Sequence, residues 1–187
     1  MTGRIIAVSG LCGAGKSTAI EILAKQTGGE IVYFGETVLR AVREQGLPET
    51  SANEQLIRVE LRRQNGAAYL VKEEAPRIER LLMEGSVILV DAIYADEERG
   101  ELRVLAPHAE ILHIGIEATF RTRLQRLLLR PKRSLSEQDL QTRDAVELTR
   151  LRTGNVLDQV QALISNEGSI GDFENALRDV LQIAGWS

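Results

Sequence analysis

The stretch Gly10-Leu11-Cys12-Gly13-Ala14-Gly15-Lys16-Ser17 constrains this chain more than any other. It reads G-x-x-x-x-G-K-S. Glycines let a backbone curl until successive N–H groups converge, which makes a cradle for phosphate oxygens. A helix starting where the loop ends adds its positive terminus. Here the loop follows the apolar run Ile5-Ile6-Ala7-Val8 and precedes a helical pattern opening at Lys16. Strand, glycine loop and helix in that order are what the phosphate-binding mechanism demands. The backbone of Gly10, Cys12, Gly13, Ala14 and Gly15, with Lys16, Ser17 and Thr18, is the expected seat of ATP. Lys16 supplies a point charge for the β- and γ-phosphates, and the Ser17 hydroxyl is a ligand for Mg²⁺. Cys12 reads as a small filler of the loop.

The rest of the chain repeats the alternation. Strands are expected at 4–9, 30–34, 86–91, 110–115 and 162–166. Runs such as Val87-Ile88-Leu89-Val90 are apolar throughout, as in strands buried on both faces. Helical patterns lie between them: from Lys16 to the glycines at 28 and 29, from about 36 to 46, from Ser51 onward and again to about 84, from about 118 to 130, from Ser136, and over 172–184. Ser51 and Glu54 have capping-box spacing. Strands alternating with helices indicate α/β architecture around a five-stranded parallel sheet, with helices on both faces. The chain of 187 residues is expected to be one domain.

Asp91 closes the third strand. Ligands of doubly wound sheets sit at the carboxyl ends of strands. An acid there suits Mg²⁺ beside Ser17, although a strand-end aspartate also caps turns. Arg123, Arg126 and Arg130 recur on one face of a helix after the fourth strand, and Arg143 stands on the next one. Phosphoryl transfer needs positive groups around charge-bearing oxygens. Arg126, Arg130 and Arg143 are therefore candidate catalytic residues. Arg123 and Arg133 fit a phosphate role and a solvated helix face equally well. His108 and His113 read as structural.

Composition excludes several classes. The net charge is −4 and aromatic residues make up 4%, which disfavours nucleic acid and anionic membrane as partners. One cysteine permits no internal disulfide and suits a reducing cytosol. No run has the length of a membrane span, and the N-terminus leads straight into a strand pattern without a signal peptide.

Gly35-Glu36-Thr37-Val38-Leu39-Arg40 resembles the G-D-x-x-x-R segment of adenylate-kinase-type nucleoside monophosphate kinases. That resemblance implies that Arg40, with Glu36 beside it, grips the phosphate of an acceptor. Arg126 and Arg130 resemble the arginines that lead into the lid of those kinases and contact the ATP end, and Arg143-Asp144 resembles the segment leaving it. Over nearly its whole length the chain is similar to the adenylate-kinase-related, dephospho-CoA-kinase-like proteins known largely from archaea. The likeness implies a three-layer P-loop kinase fold. Its core is 1–34, 83–130 and 143–187, with a helical acceptor-binding insertion at 35–82 and a short lid at 131–142.

The implied activity is transfer of the γ-phosphate of ATP to a phosphorylated small molecule, by a monomer or homodimer. Two departures bear on the acceptor. Ala92-Ile93-Tyr94 stands where Gly-Ile-Arg is common, so a second acceptor arginine is missing; Arg62, Arg99 and Arg103 are the candidates to replace it. Phe34-Gly35-Glu36 lacks the Asp-x-Asp usual in dephospho-CoA kinases, which ranks that activity lower. A nucleotide-binding regulatory protein or weak ATPase is the alternative, and Tyr94 is the feature that favours it.

Overall fold

The computed structural model describes residues 3–131 and 134–186. Five strands form the sheet: β1 (Arg4–Ser9), β2 (Glu30–Tyr33), β3 (Val87–Asp91), β4 (Glu110–Glu117) and β5 (Ala162–Ser165). Their order is β2-β3-β1-β4-β5, and every pairing is parallel. β1 lies between β3 and β4, so the chain leaves it toward one side and later crosses to the other. That reversal opens a crevice beyond the carboxyl end of β1, where the glycine loop lies.

Side chains of β1 alternate between two cores, because successive residues of a strand point to opposite faces. Ile5 and Ala7 join the core under α2 (Phe34–Glu44), α3 (Ser51–Asn65), α4 (Tyr69–Met83) and α5 (Asp96–Leu105). Ile6 and Val8 join the opposite one, packed by α1 (Lys16–Thr27) and α9 (Ile170–Ile183) through Ile20, Leu23, Phe173 and Leu177. A smaller cluster of Cys12, Leu127, Leu135 and Leu140 seats α6 (Phe120–Leu128) and α7 (Glu137–Thr149) against the loop. The three-layer α/β expectation stands. Among the described residues no helix is long and apolar enough to cross a membrane.

Several boundaries differ from the sequence reading. β4 runs two residues further, because Ile116 is core. α2 begins at Phe34, which is buried. The cap of α3 is Thr50, whose side chain accepts from the Asn53 N–H; Ser51 is the first helical residue instead of the cap. α6 stops at Leu128, short of Pro131. The helix from Ser136 has the expected box, with Asp139 bonded back to Ser136. The sequence reading contained neither α5 nor α8 (Thr153–Leu157). Asp96-Glu97-Glu98-Arg99 looks like a solvated turn, yet Glu98 and Leu102 are buried. Of the expected lid, 132 and 133, including the basic Arg133, lie outside the described residues.

His113 is structural, as expected. It sits in β4 with its ring buried between strands. Ser9 Oγ donates to the Ile93 carbonyl at 2.6 Å, so it has only lone pairs left for His113 Nε2, 2.7 Å away. Nε2 therefore carries the ring proton. Burial pulls the imidazole pKa down to about 4, aided by the charges of Arg99 and Arg103. The unfolded ring protonates near pH 6.5, while the folded ring stays neutral until about 4. Folding stability should thus fall as pH drops through that window. The slope from this one proton is at most about 1.4 kcal/mol per pH unit. Urea titrations from pH 7 downward should show a shallower loss for His113→Gln than for the native chain.

Candidate functional site

The loop between β1 and α1 has the required geometry. Gly10, Gly13 and Gly15 have φ of 153°, 83° and 110°, outside the range other residues favour. A Cβ at Gly10 would collide with the Ile116 carbonyl, and one at Gly15 with the Asn166 amide. Lys16 is 9% exposed, and its ammonium folds back to the carbonyls of Gly10 (2.8 Å) and Leu11 (3.1 Å). Burial works against its charge. Tyr94, Glu147, Cys12 and Asp91 outweigh that effect, so its pKa lies above the ordinary value.

β3 runs beside β1 in register, Val8 against Asp91. This places the Asp91 carboxylate 3.4 Å from Ser17 Oγ. Burial raises the Asp91 pKa, partly opposed by Lys16, Ser17 and Arg58. One hydroxyl and one carboxylate suit Mg²⁺, which keeps several waters and takes the rest of its octahedron from phosphate oxygens. Among the described residues no group of three or more His, Cys, Asp or Glu side chains could form a cage by itself. The donor set fits an ion shared with a nucleotide.

Buried charges hold the loop from behind. Arg123 grips Asp144 with two bonds, 2.8 and 2.6 Å, and donates to the Cys12 carbonyl at 3.0 Å. Glu147 accepts the Cys12 N–H at 3.1 Å with one oxygen and Arg143 Nε at 2.9 Å with the other. Asn166 donates to the Ala14 carbonyl at 2.9 Å; Arg126 reaches the same carbonyl at 3.4 Å and that of Asn166 at 2.8 Å. Arg123, left open by the sequence, is thus a brace of the loop. Arg126 lies along its outer wall.

A cavity opens in front of the loop. Cys12, Gly13, Gly15, Lys16, Ser17 and Asp91 line it together with Arg130 and Arg143 from the α6–α7 region. Burial opposes the Arg143 charge, but Cys12, Glu147 and Tyr94 raise its pKa above the ordinary arginine value. The far side is Arg58 and Tyr94.

Two of the residues expected on the acceptor side lie elsewhere. α2 turns Thr37, Val38 and Val42 inward, which leaves Arg40 on its outer side, half exposed and bonded to Glu73 at 2.7 Å. Glu36 is exposed too and pairs with Arg43. Neither lines the cavity. The three replacement arginines are also engaged or distant. Arg62 is buried against Glu98, Arg99 bonds Gln159 and Asp96, and Arg103 is exposed on α5.

Arg58, which the sequence did not single out, lines the cavity. It is 7% exposed, with its guanidinium 5.6 Å from the Tyr94 ring centre. A signal was present: Glu54, Arg58 and Arg62 recur every four residues on one face of α3. A charged stripe usually faces water. This one faces the cavity and the loop after β3.

The comparisons agree with this architecture. Residues 6–166 match the family model described as an AAA domain. A UPF0200 protein of Methanoculleus marisnigri is 33% identical over 180 residues, covering 95% of each chain. This chain belongs to the UPF0200 family. Its backbone is similar to a gluconokinase from Sinorhizobium meliloti, with a TM-score of 0.62 at 18% identity over 98% of this chain and 94% of that one. A shikimate kinase from Bacteroides thetaiotaomicron gives a TM-score of 0.62 at 12% identity, over 97% and 98%. At such identities the likeness is one of fold, and the fold of this UPF0200 chain is that of the P-loop kinases.

The brace yields a measurable expectation. Arg123→Ala leaves the part-buried Asp144 carboxylate without its buried partner. Removing one partner of a buried ion pair typically costs about 3–5 kcal/mol. Equilibrium urea unfolding should register a loss of that order; a change near zero would mean that Arg123 is not the brace.

Proposed function

We propose that this chain transfers the γ-phosphate of ATP, with Mg²⁺, to a small acceptor that already carries a phosphate, a nucleoside monophosphate or a compound like it. The observation that carries the reading is the pairing of two halves in one cavity. Lys16, Ser17 and Asp91 line it together with Arg58, Arg130 and Arg143, and with the buried carboxylate of Glu54. A bare nucleotide switch has no need of a second cationic half. The kinase fold supports the reading.

Each residue then has a task. The loop N–H groups and Lys16 hold the β- and γ-phosphates. Ser17 and Asp91 would hold Mg²⁺, which supplies charge neutralisation at the phosphates when bound. Arg58 holds the acceptor's phosphate opposite the loop. Arg130 and Arg143, at the two ends of the segment 131–142, draw that segment over the reactants as a lid. Closure excludes water and strengthens every charge interaction inside. An anionic phosphate needs no strong general base, and positioning with charge stabilisation carries most of the barrier reduction in phosphoryl transfer. The chain works in a reducing compartment such as the cytosol.

A coupled assay of ADP release tests this, with ATP, Mg²⁺ and a panel of nucleoside monophosphates plus dephospho-CoA. At least one acceptor should turn over. Should all stay inert while ATP still binds, the reading gives way to a regulatory nucleotide-binding protein or weak ATPase. With the active acceptor, Arg58→Ala should raise its KM about ten- to a hundredfold, the worth of a charge-assisted hydrogen bond of about 1.5–3 kcal/mol. Arg40→Ala should leave KM within experimental error. Independently, Lys16→Ala should abolish the rise in Tm that ATP gives the native chain; an undiminished shift in the variant would refute the role of Lys16.

A further inference from the structure

The transfer just described makes no use of Tyr94, although the structure fixes it with care. Its backbone is pinned at both ends. The N–H donates to Glu98 Oε2 at 2.8 Å, and the carbonyl accepts from Thr153 Oγ1 at 3.0 Å. Glu98 and Thr153 are both 0% exposed. Glu98 is in turn held by Arg62 from α3. The main chain at Tyr94 therefore has little freedom, and only the side-chain torsions can carry the ring.

That ring stands between the two halves of the cavity. Its centre is 5.2 Å from Lys16 Nζ on the donor side and 5.6 Å from the Arg58 guanidinium on the acceptor side. Tyr94 also lines the same cavity as Ser17, Arg130 and Arg143. A phosphoryl group leaving a triphosphate held by Lys16 moves toward Arg58. Tyr94 lines the cavity that this group enters.

We infer that Tyr94 is an internal phosphoryl acceptor: with ATP in the loop, its phenolic oxygen takes the γ-phosphate within the same chain. The inference rests on the donor half of the proposed function. In the step, the phenolic oxygen forms a bond to the γ-phosphorus and the bond from that phosphorus to the β,γ-bridging oxygen breaks. ADP leaves. The phenolic proton passes to an oxygen of the transferred group and then to water. The loose transition state asks little activation of the nucleophile. Lys16 and Arg143 hold the oxygens that carry the charge.

The product carries a charge of about −1.5 to −2 at neutral pH. It stands among Arg58, Arg130 and Arg143, which grip phosphate oxygens as they would those of an external acceptor. A phosphorylated Tyr94 fills the acceptor side, so the reaction limits itself and shuts out a second substrate. Unphosphorylated, the ring turns aside on its side-chain torsions and admits one.

The chain has three tyrosines, Tyr33, Tyr69 and Tyr94, so the modified residue is readily mapped. The full chain is incubated with γ-labelled ATP and Mg²⁺ without any acceptor, then digested and sequenced by mass spectrometry. Phosphate is expected on Tyr94, with a rate constant independent of protein concentration. Lys16→Ala should abolish the label, and so should the conservative Tyr94→Phe. A rate constant that rises with protein concentration overturns transfer within one chain. Label on Tyr33 or Tyr69 that persists in Tyr94→Phe overturns the assignment. If Tyr94 stays unmodified while the same preparation phosphorylates an added monophosphate, this inference falls and the proposed function stands. If neither reaction occurs, both fall.

Discussion

A ring of main-chain N–H groups turned toward one point is unstable unless something answers it. In the loop from Gly10 to Ser17 the structure fastens the outside. Carbonyls of Cys12 and Ala14, which face away from the cradle, accept from Arg123, Asn166 and Arg126. The Cys12 N–H is tied to Glu147. These partners come from α6, α7 and the turn after β5, so distant parts of the chain hold one loop in shape. Buried charges are costly to desolvate, and pairs such as Arg123–Asp144 are weak evidence of net stability. Their effect here is positional: each fixes a backbone group of the loop that burial would otherwise leave unanswered.

The Arg58 side of the cavity is built by the same means. Glu98 lies buried in α5 and takes three donors: Arg62 from α3 and the N–H groups of Tyr94 and Ala95. One carboxylate thus joins the helical insertion to the loop after β3. Arg58 lies one turn before Arg62 on the same helix, so the brace that fixes Arg62 also sets the angle at which Arg58 enters the cavity. The Ser9–His113 pair gives a further tie, from β1 through β4 to the carbonyl of Ile93. The glycine loop and the wall of Arg58 and Tyr94 therefore share one frame.

What could be read in the sequence was whatever depends on neighbours along the chain. The glycine loop, the apolar strands around it and the helix from Lys16 follow from local rules, and so does the helix start at Ser136. The place of Asp91 at the end of a strand was legible because the apolar run before it marks that strand. Arginine roles were not. Arg40 matches a short motif, yet α2 buries its Val38 side and turns Arg40 outward to Glu73. Arg58 matches no motif and sits in the cavity. α5 escaped notice because its opening charges look solvated, whereas Glu98 is the buried hub of a network that no local pattern displays.

Sequence alone determined the donor half: a loop whose glycines admit positive φ, a lysine and a serine at its end, and a strand that presents them. Those features are set within a dozen residues, and conformational freedom and residue chemistry suffice to define them. Only the tertiary structure decided which cations face that loop. Arginines on α2, α3 and α6 can each point toward water or toward phosphate, and the choice depends on which carboxylate each finds. Asp144 claims Arg123, Glu98 claims Arg62, Glu73 claims Arg40, and Arg58 lines the cavity with Tyr94.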